Sequence, residues 1–167
     1  MSRACRRPDG PCGPARRVRG ITVLELILSV MIASILTMLS LSTYQGYRAK
    51  TDTTQAIADI GMIQSAIALY AVDNQGLPAS LADVGPQIAS MVDPWGNAYQ
   101  YVNHQDVNGK GQFRKDKNIV PINSDYDLYS MGPDGVSVAP LTAGPSRDDI
   151  VRANNGRFIG VASDYDP

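Results

Sequence analysis

The sequence predicts an α+β protein in which one long N-terminal helix, half membrane-suited and half amphipathic, packs on a small antiparallel sheet. Three observations predict it. Residues Ile21–Leu41 (ITVLELILSVMIASILTMLSL) are apolar, small or hydroxylic except for Glu25. Beyond them Ala56, Ile60, Ile63, Ile67 and Tyr70 recur at spacings of 4, 3, 4 and 3, which marks one face of a helix. After Pro78 come short β-favouring runs between turn residues.

The first twenty residues carry Arg3, Arg6, Arg7, Arg16, Arg17 and Arg19 against Asp9, with Pro8, Pro11 and Pro14 opposing regular structure. From Ile21 onward nine lysines and arginines face fifteen acids, a net charge of −6. Basic flanks stay in the cytoplasm, so the acidic bulk is expected across the membrane. At 1.5 Å per residue, a run from Ile21 to Leu41 covers about 30 Å of hydrocarbon. A secretory signal peptide has a shorter apolar region and a small-x-small cleavage site. Ser42-Thr43-Tyr44-Gln45-Gly46-Tyr47 offers none.

Glu25 is the only glutamate among 167 residues. A carboxylate among leucines costs on the order of 2.5–3.5 kcal/mol at a helix centre and less near its end. The expected remedy is a positive group close to the start of the segment.

The helix is expected to run to about Ala71 and to stop at Asp73-Asn74-Gln75-Gly76-Leu77-Pro78. Leu81, Val84, Ile88 and Met91 suggest a short second helical or turn segment, and strands are expected at Ala98–His104, Ile119–Ile122, Tyr126–Ser130 and Gly156–Ala162. Asp106-Val107-Asn108-Gly109-Lys110-Gly111 reads as a hairpin tip. An EF-hand reading fails there because the closing glutamate cannot exist after position 25. Cys5 and Cys12 are too few for zinc. His104, the only histidine, has no triad partner in sequence and reads as a surface or strand-edge residue. The negative charge of the main part argues against nucleic acid. No enzyme is expected.

The junction Gly20-Ile21-Thr22-Val23-Leu24-Glu25-Leu26 resembles the processing site of type IV prepilins and type II secretion pseudopilins. Asp93-Pro94-Trp95-Gly96-Asn97-Ala98-Tyr99-Gln100-Tyr101 and Tyr126-Asp127-Leu128-Tyr129-Ser130-Met131-Gly132-Pro133-Asp134-Gly135 are similar to two strings of the major pseudopilin of type II secretion. The resemblance implies a pilin-like fold divided into a basic leader (1–20, removed), a transmembrane and assembly helix (21–47) and a periplasmic head (48–167) that includes the outer half of the helix. It implies cleavage between Gly20 and Ile21 by a prepilin peptidase, methylation of the new amine, and pairing of that amine with Glu25 of a neighbouring copy. Ile21 stands where the family has phenylalanine, and Ser42 where many members have proline.

The implied function is that of a structural subunit. Copies leave the bacterial inner membrane and polymerise, with minor pseudopilins, into a periplasmic filament. An inner-membrane platform and its ATPase drive that filament, which pushes proteins outward. The resemblance also implies calcium, held by the Met131 and Val136 carbonyls, a backbone oxygen of Ser146, and the carboxylates of Asp134, Asp148 and Asp149. Read from the residues alone, Ser146-Arg147-Asp148-Asp149-Ile150-Val151 could equally begin a helix capped by Ser146 and Asp149. Two other functions stay open: a type IV pilus subunit, though the mature chain lacks the disulfide common among pilins, and a membrane-anchored periplasmic binding domain that does not polymerise.

Overall fold

A computed structural model of the chain describes residues 20–107, 109 and 111–166, with the side chains of 40–43 left aside. The basic leader with its two cysteines, and Asn108 and Lys110 of the expected hairpin tip, lie outside the described residues. Contacts divide the chain into two compact units, residues 1–43 and 44–167.

Helix α1 spans Val23–Asn74. No proline interrupts it, and its hydroxyl side chains turn back onto carbonyls one turn earlier, as Ser34 does to Val30 and Thr37 to Ala33, both at 2.8 Å. Such bonds remove a polar hydroxyl from an apolar surface. The helix runs three residues past the expected Ala71 because Asn74 Nδ2 caps the Tyr70 carbonyl at 3.0 Å. Gln75 then turns left-handed (φ 55°) before Gly76 and Pro78. In the 44–167 unit, Ala56, Ile60, Ile63 and Ile67 are fully buried. They pack on Tyr99, Tyr126, Leu128 and Ile150. Tyr99 also donates its hydroxyl to Asp59 Oδ2 at 2.9 Å, and burial followed by that carboxylate pushes its ionisation upward.

Two short helices, α2 (Leu81–Val84) and α3 (Pro86–Ala89), follow as expected. Asp83 starts α2 by accepting the Ser80 N–H at 2.8 Å. The sheet is an antiparallel meander, β1 (Gln100–Asn103), β2 (Tyr126–Ser130), β3 (Ile150–Ala153) and β4 (Phe158–Val161), in that spatial order. Its register sets Tyr101 opposite Leu128, Ser130 opposite Ile150 and Arg152 opposite Ile159. Side chains alternate between faces. Tyr126, Leu128, Ile150, Ile159 and Val161 join the helix-side core. Tyr129, Val151, Ala153 and Phe158 join a second core with Ile122, Leu141, Ala162 and Tyr165.

Three expectations need correction. Ile119–Ile122 is not a strand: Pro121 has no N–H to give a ladder, and the segment makes a bridge between Asp116 and Ile119 and single backbone bonds at Ile122. Residues 146–151 do not begin a helix. Gly144–Ser146 is one 3-10 turn, and Ile150–Ala153 is a central strand with all four residues buried. β-Branched Ile150 and Val151 suit a strand covered on both faces. His104 follows β1 directly but its side chain is not on the surface. Its side chain is 8% exposed, with Nε2 3.1 Å from Asp127 Oδ2 and the ring 4.2 Å from that of Phe113.

Candidate assembly segment and C-terminal loop

Glu25 sits in the first turn of α1, and every described side chain from Ile21 to Leu39 is exposed. The helix is long and apolar enough to cross a membrane. Thr22 occupies the cap position, and its hydroxyl accepts the Glu25 N–H at 3.3 Å, so Thr22-Val23-Leu24-Glu25 has the spacing of a capping box. An acid in the first turn also gains about 0.3–1 kcal/mol from the helix dipole. No ion pair reaches the Glu25 carboxylate among the described residues. Gly20 and Ile21 precede the helix, exposed and outside regular structure.

The two marker strings form one unit. Asp93 is 3% exposed. Its Oδ1 accepts the N–H groups of Trp95 and Asn97 at 3.1 and 2.8 Å, closing the Asp93–Gly96 turn. Its Oδ2 accepts the Ser130 hydroxyl at 2.5 Å, and Ser130 Oγ in turn accepts the Gly132 N–H at 3.0 Å. Asn97 Nδ2 donates to the Gly132 carbonyl at 3.2 Å. Gly132 (φ 66°) has no room for a side chain, since a Cβ there would lie 2.5 Å from the Asp148 carbonyl oxygen. The turn before β1 therefore holds the end of β2, and the end of β2 holds the start of the C-terminal loop. Each string is locally a turn signal; their mutual bonding cannot be read from either.

The loop from Met131 to Asp149 carries the residues implied as calcium ligands. Met131 is half-buried, and Val136 is exposed with its N–H bonded to Asp134 Oδ1 at 2.8 Å. Asp134 is exposed, and Asp148 is half-buried against Gly132. Ser146 is fully buried, its hydroxyl accepting the Val138 N–H at 2.8 Å and donating to the Val138 carbonyl at 2.7 Å. Asp149 is fully buried. Its Oδ2 accepts the Ser137 hydroxyl at 2.6 Å and a guanidinium N–H of Arg114, while Oδ1 has no hydrogen-bond partner. Burial pushes the Asp149 carboxyl upward, against the Ser137 bond and the Arg114 charge. Calcium takes six to eight oxygens at about 2.3–2.6 Å. Among the described residues no three acidic, histidine or cysteine side chains gather closely enough to hold a metal. The arrangement as it stands does not fit a calcium shell. The orphaned Asp149 Oδ1 is one available ligand, and the cation beside it is an arginine.

Arg114 was not singled out in the sequence, where it reads as one basic residue in the polar run Lys110–Lys117. Only the fold brings it to Asp149, 35 positions on. Arg152, which joins β3 to α1 and Asp125, escaped notice for the same reason.

Over 139 residues the chain is 32% identical to the type II secretion system core protein G of Aeromonas hydrophila, an alignment covering 72% of this chain and 86% of the relative. The chain belongs to the type II secretion system core protein G family. Similar matches are core protein G of Pseudomonas aeruginosa (31% identical; 72% and 87% covered) and of Pectobacterium carotovorum subsp. carotovorum (30%; 72% and 79%). No protein-family model matches the chain, and no solved structure matches it significantly. Membership agrees with the resemblance carried by the processing junction and the two marker strings. Core protein G is named as a component of a secretion system, not as an enzyme.

Proposed function

We propose that the chain is the structural subunit of the type II secretion pseudopilus, a periplasmic filament whose growth pushes exported proteins outward. One observation carries the reading. A chain of the core protein G family begins its described part with an exposed apolar helix whose sole ionisable group up to Leu39 is Glu25. A helix apolar all round needs lipid or other helices around it. The first supplies the anchored state, the second the filament.

Processing decides between them. Cleavage after Gly20 by a prepilin peptidase on the cytoplasmic side leaves Ile21 with an α-amino group of pKa about 8, a cation at neutral pH. In a filament that amine meets Glu25 of an adjoining copy. The helix-dipole gain of at most about 1 kcal/mol is smaller than the cost of about 2.5–3.5 kcal/mol for a charge at mid-membrane depth. A buried charge is tolerable once paired, so the pairing fixes the axial register between copies. The arginine-rich leader holds the start of the helix in the cytoplasm, which places residues 48–167 in the periplasm. Minor pseudopilins, an inner-membrane platform and a cytoplasmic ATPase are the partners this work needs; no catalytic chemistry is asked of the chain. The test is N-terminal mass spectrometry of the protein from cells that contain the peptidase. A chain starting at methylated Ile21 is expected, and one still starting at Met1 would overturn the reading.

A further inference from the structure

We infer that Arg114 is the built-in cation of the C-terminal loop: its guanidinium closes that loop onto the sheet, where a bound divalent ion was expected, and leaves the head independent of calcium.

Five contacts locate the group. Its backbone N–H donates to Asp127 Oδ2 at 2.7 Å and its carbonyl accepts the Ile122 N–H at 3.1 Å, so the main chain is fixed before the side chain extends. The guanidinium lies 3.8 Å over the Tyr129 ring of β2. From there Nη1 donates to the Val138 carbonyl and Nη2 to Asp149 Oδ2. Val138 belongs to the outgoing half of the loop, and Asp149 is the residue before β3. Arg114 thus ties both limbs of the loop to β2, with its side chain 3% exposed.

Charge and geometry favour the guanidinium over a metal ion. One buried carboxylate, Asp149, requires one positive charge, and a guanidinium stays charged at every physiological pH. Its fixed fork of donors reaches a carbonyl and a carboxylate at once. Carboxylate oxygens that calcium would use already accept hydrogen bonds: Asp134 Oδ1 from the Val136 N–H, and Asp149 Oδ2 from the Ser137 hydroxyl and an Arg114 N–H. An ion on the free Asp149 Oδ1 would set a second cation beside the Arg114 guanidinium held on Oδ2 of the same buried carboxylate, and like charges repel strongly there. The rest of the loop is anchored without metal. Leu141 is 2% exposed, and residues 115 and 139–141 exchange backbone bonds of 3.0 and 2.9 Å.

The experiment uses the whole chain in detergent, melted in excess EGTA and in millimolar calcium chloride, with calcium binding measured by titration calorimetry. The wild-type protein is expected to melt at one temperature in both and to show no calcium heat. Arg114→Gln is expected to melt lower in EGTA, with Arg114→Lys between the two. A resident calcium ion at a hundredfold excess over its Kd would make chelation lower the wild-type Tm by roughly 5–10 °C. That shift, a calcium heat from the wild-type chain, or an Arg114→Gln protein as stable as wild type would each overturn the inference. The wild-type measurements stand even if the variants fail to fold. None of them reads filament assembly, so the proposed function survives or falls separately.

Discussion

Arg152 of β3 donates its Nε–H to Gln64 Oε1 of α1 at 2.8 Å, joining residues 88 positions apart. The same guanidinium grips Asp125 with two bonds of 2.8 and 2.7 Å and lies 4.0 Å over the Tyr126 ring. With its side chain 4% exposed, Arg152 couples helix, sheet and the connection before β2 through one planar group. Gly156 turns left-handed (φ 85°) beside the same Gln64, where a side chain would collide with its amide at 2.3 Å.

Arg152→Met is therefore expected to destabilise the chain. Breaking a fully buried pair costs about 3–5 kcal/mol, and the loss here is smaller because Asp125 is 32% exposed. Arg152→Lys should recover little, since an ammonium cannot bond both Asp125 oxygens and Gln64 in one plane. Urea unfolding of the two variants beside the wild type measures both statements.

Acid should weaken the same junction. Burial pushes the Asp125 carboxyl up, but hydrogen bonds from Arg152 and from the Tyr126 N–H outweigh it and hold the group below the ordinary carboxylate range. With the folded pKa depressed, the unfolded chain binds the proton more tightly. The contribution is complete above the unfolded value of about 3.9 and is lost as pH falls through the folded value. Thermal melts below about pH 4 should show a shallower acid limb for Asp125→Asn than for wild type. Parallel limbs would remove Asp125 from the account.

Asp93 and Ser130 should act as one unit. Asp93→Ala leaves the Trp95, Asn97 and Ser130 donors without their acceptor, at a cost of about 1–3 kcal/mol for each one that stays buried. Once either partner is gone, removing the other should cost less, with a coupling of about 0.5–3 kcal/mol in a double-mutant cycle. Strict additivity would mean that the two marker strings are independent turns.

Neighbouring helix positions should differ sharply. Ile63 is fully buried and Met62 is 53% exposed. Ile63→Ala is expected to cost about 2–5 kcal/mol, and Met62→Ala to stay within about 0.5 kcal/mol, both by denaturant midpoint of the dispersed protein. Equal effects would contradict the assigned helix face.

Glu25→Ala should be inserted and cleaved but yield no filament, because the partner of the neighbouring amine is gone. Filaments sheared from cells and counted by immunoblot provide the readout. A wild-type yield would show that Glu25 does not set the register.

What the sequence by itself determined is what depends on near neighbours. The 4-3-4-3 spacing of Ala56, Ile60, Ile63, Ile67 and Tyr70 marked the face whose first four members are buried, Asp73–Pro78 the region of the helix stop, and Tyr126–Ser130 a strand with its true bounds. The Gly20–Glu25 junction and the two marker strings were enough to identify the family. Tertiary structure alone decided the rest. Ser146–Val151 could locally begin a helix, but Ile150–Ala153 becomes a central strand because β2 and β4 pair with it on both sides. His104 looks like an edge residue until Asp127 and Phe113 close over it. Arg114 and Asp149 lie 35 positions apart, and no local pattern announces their meeting. Periodicity and turn chemistry act over a few residues, whereas a buried charge must find its counter-charge wherever the fold brings one.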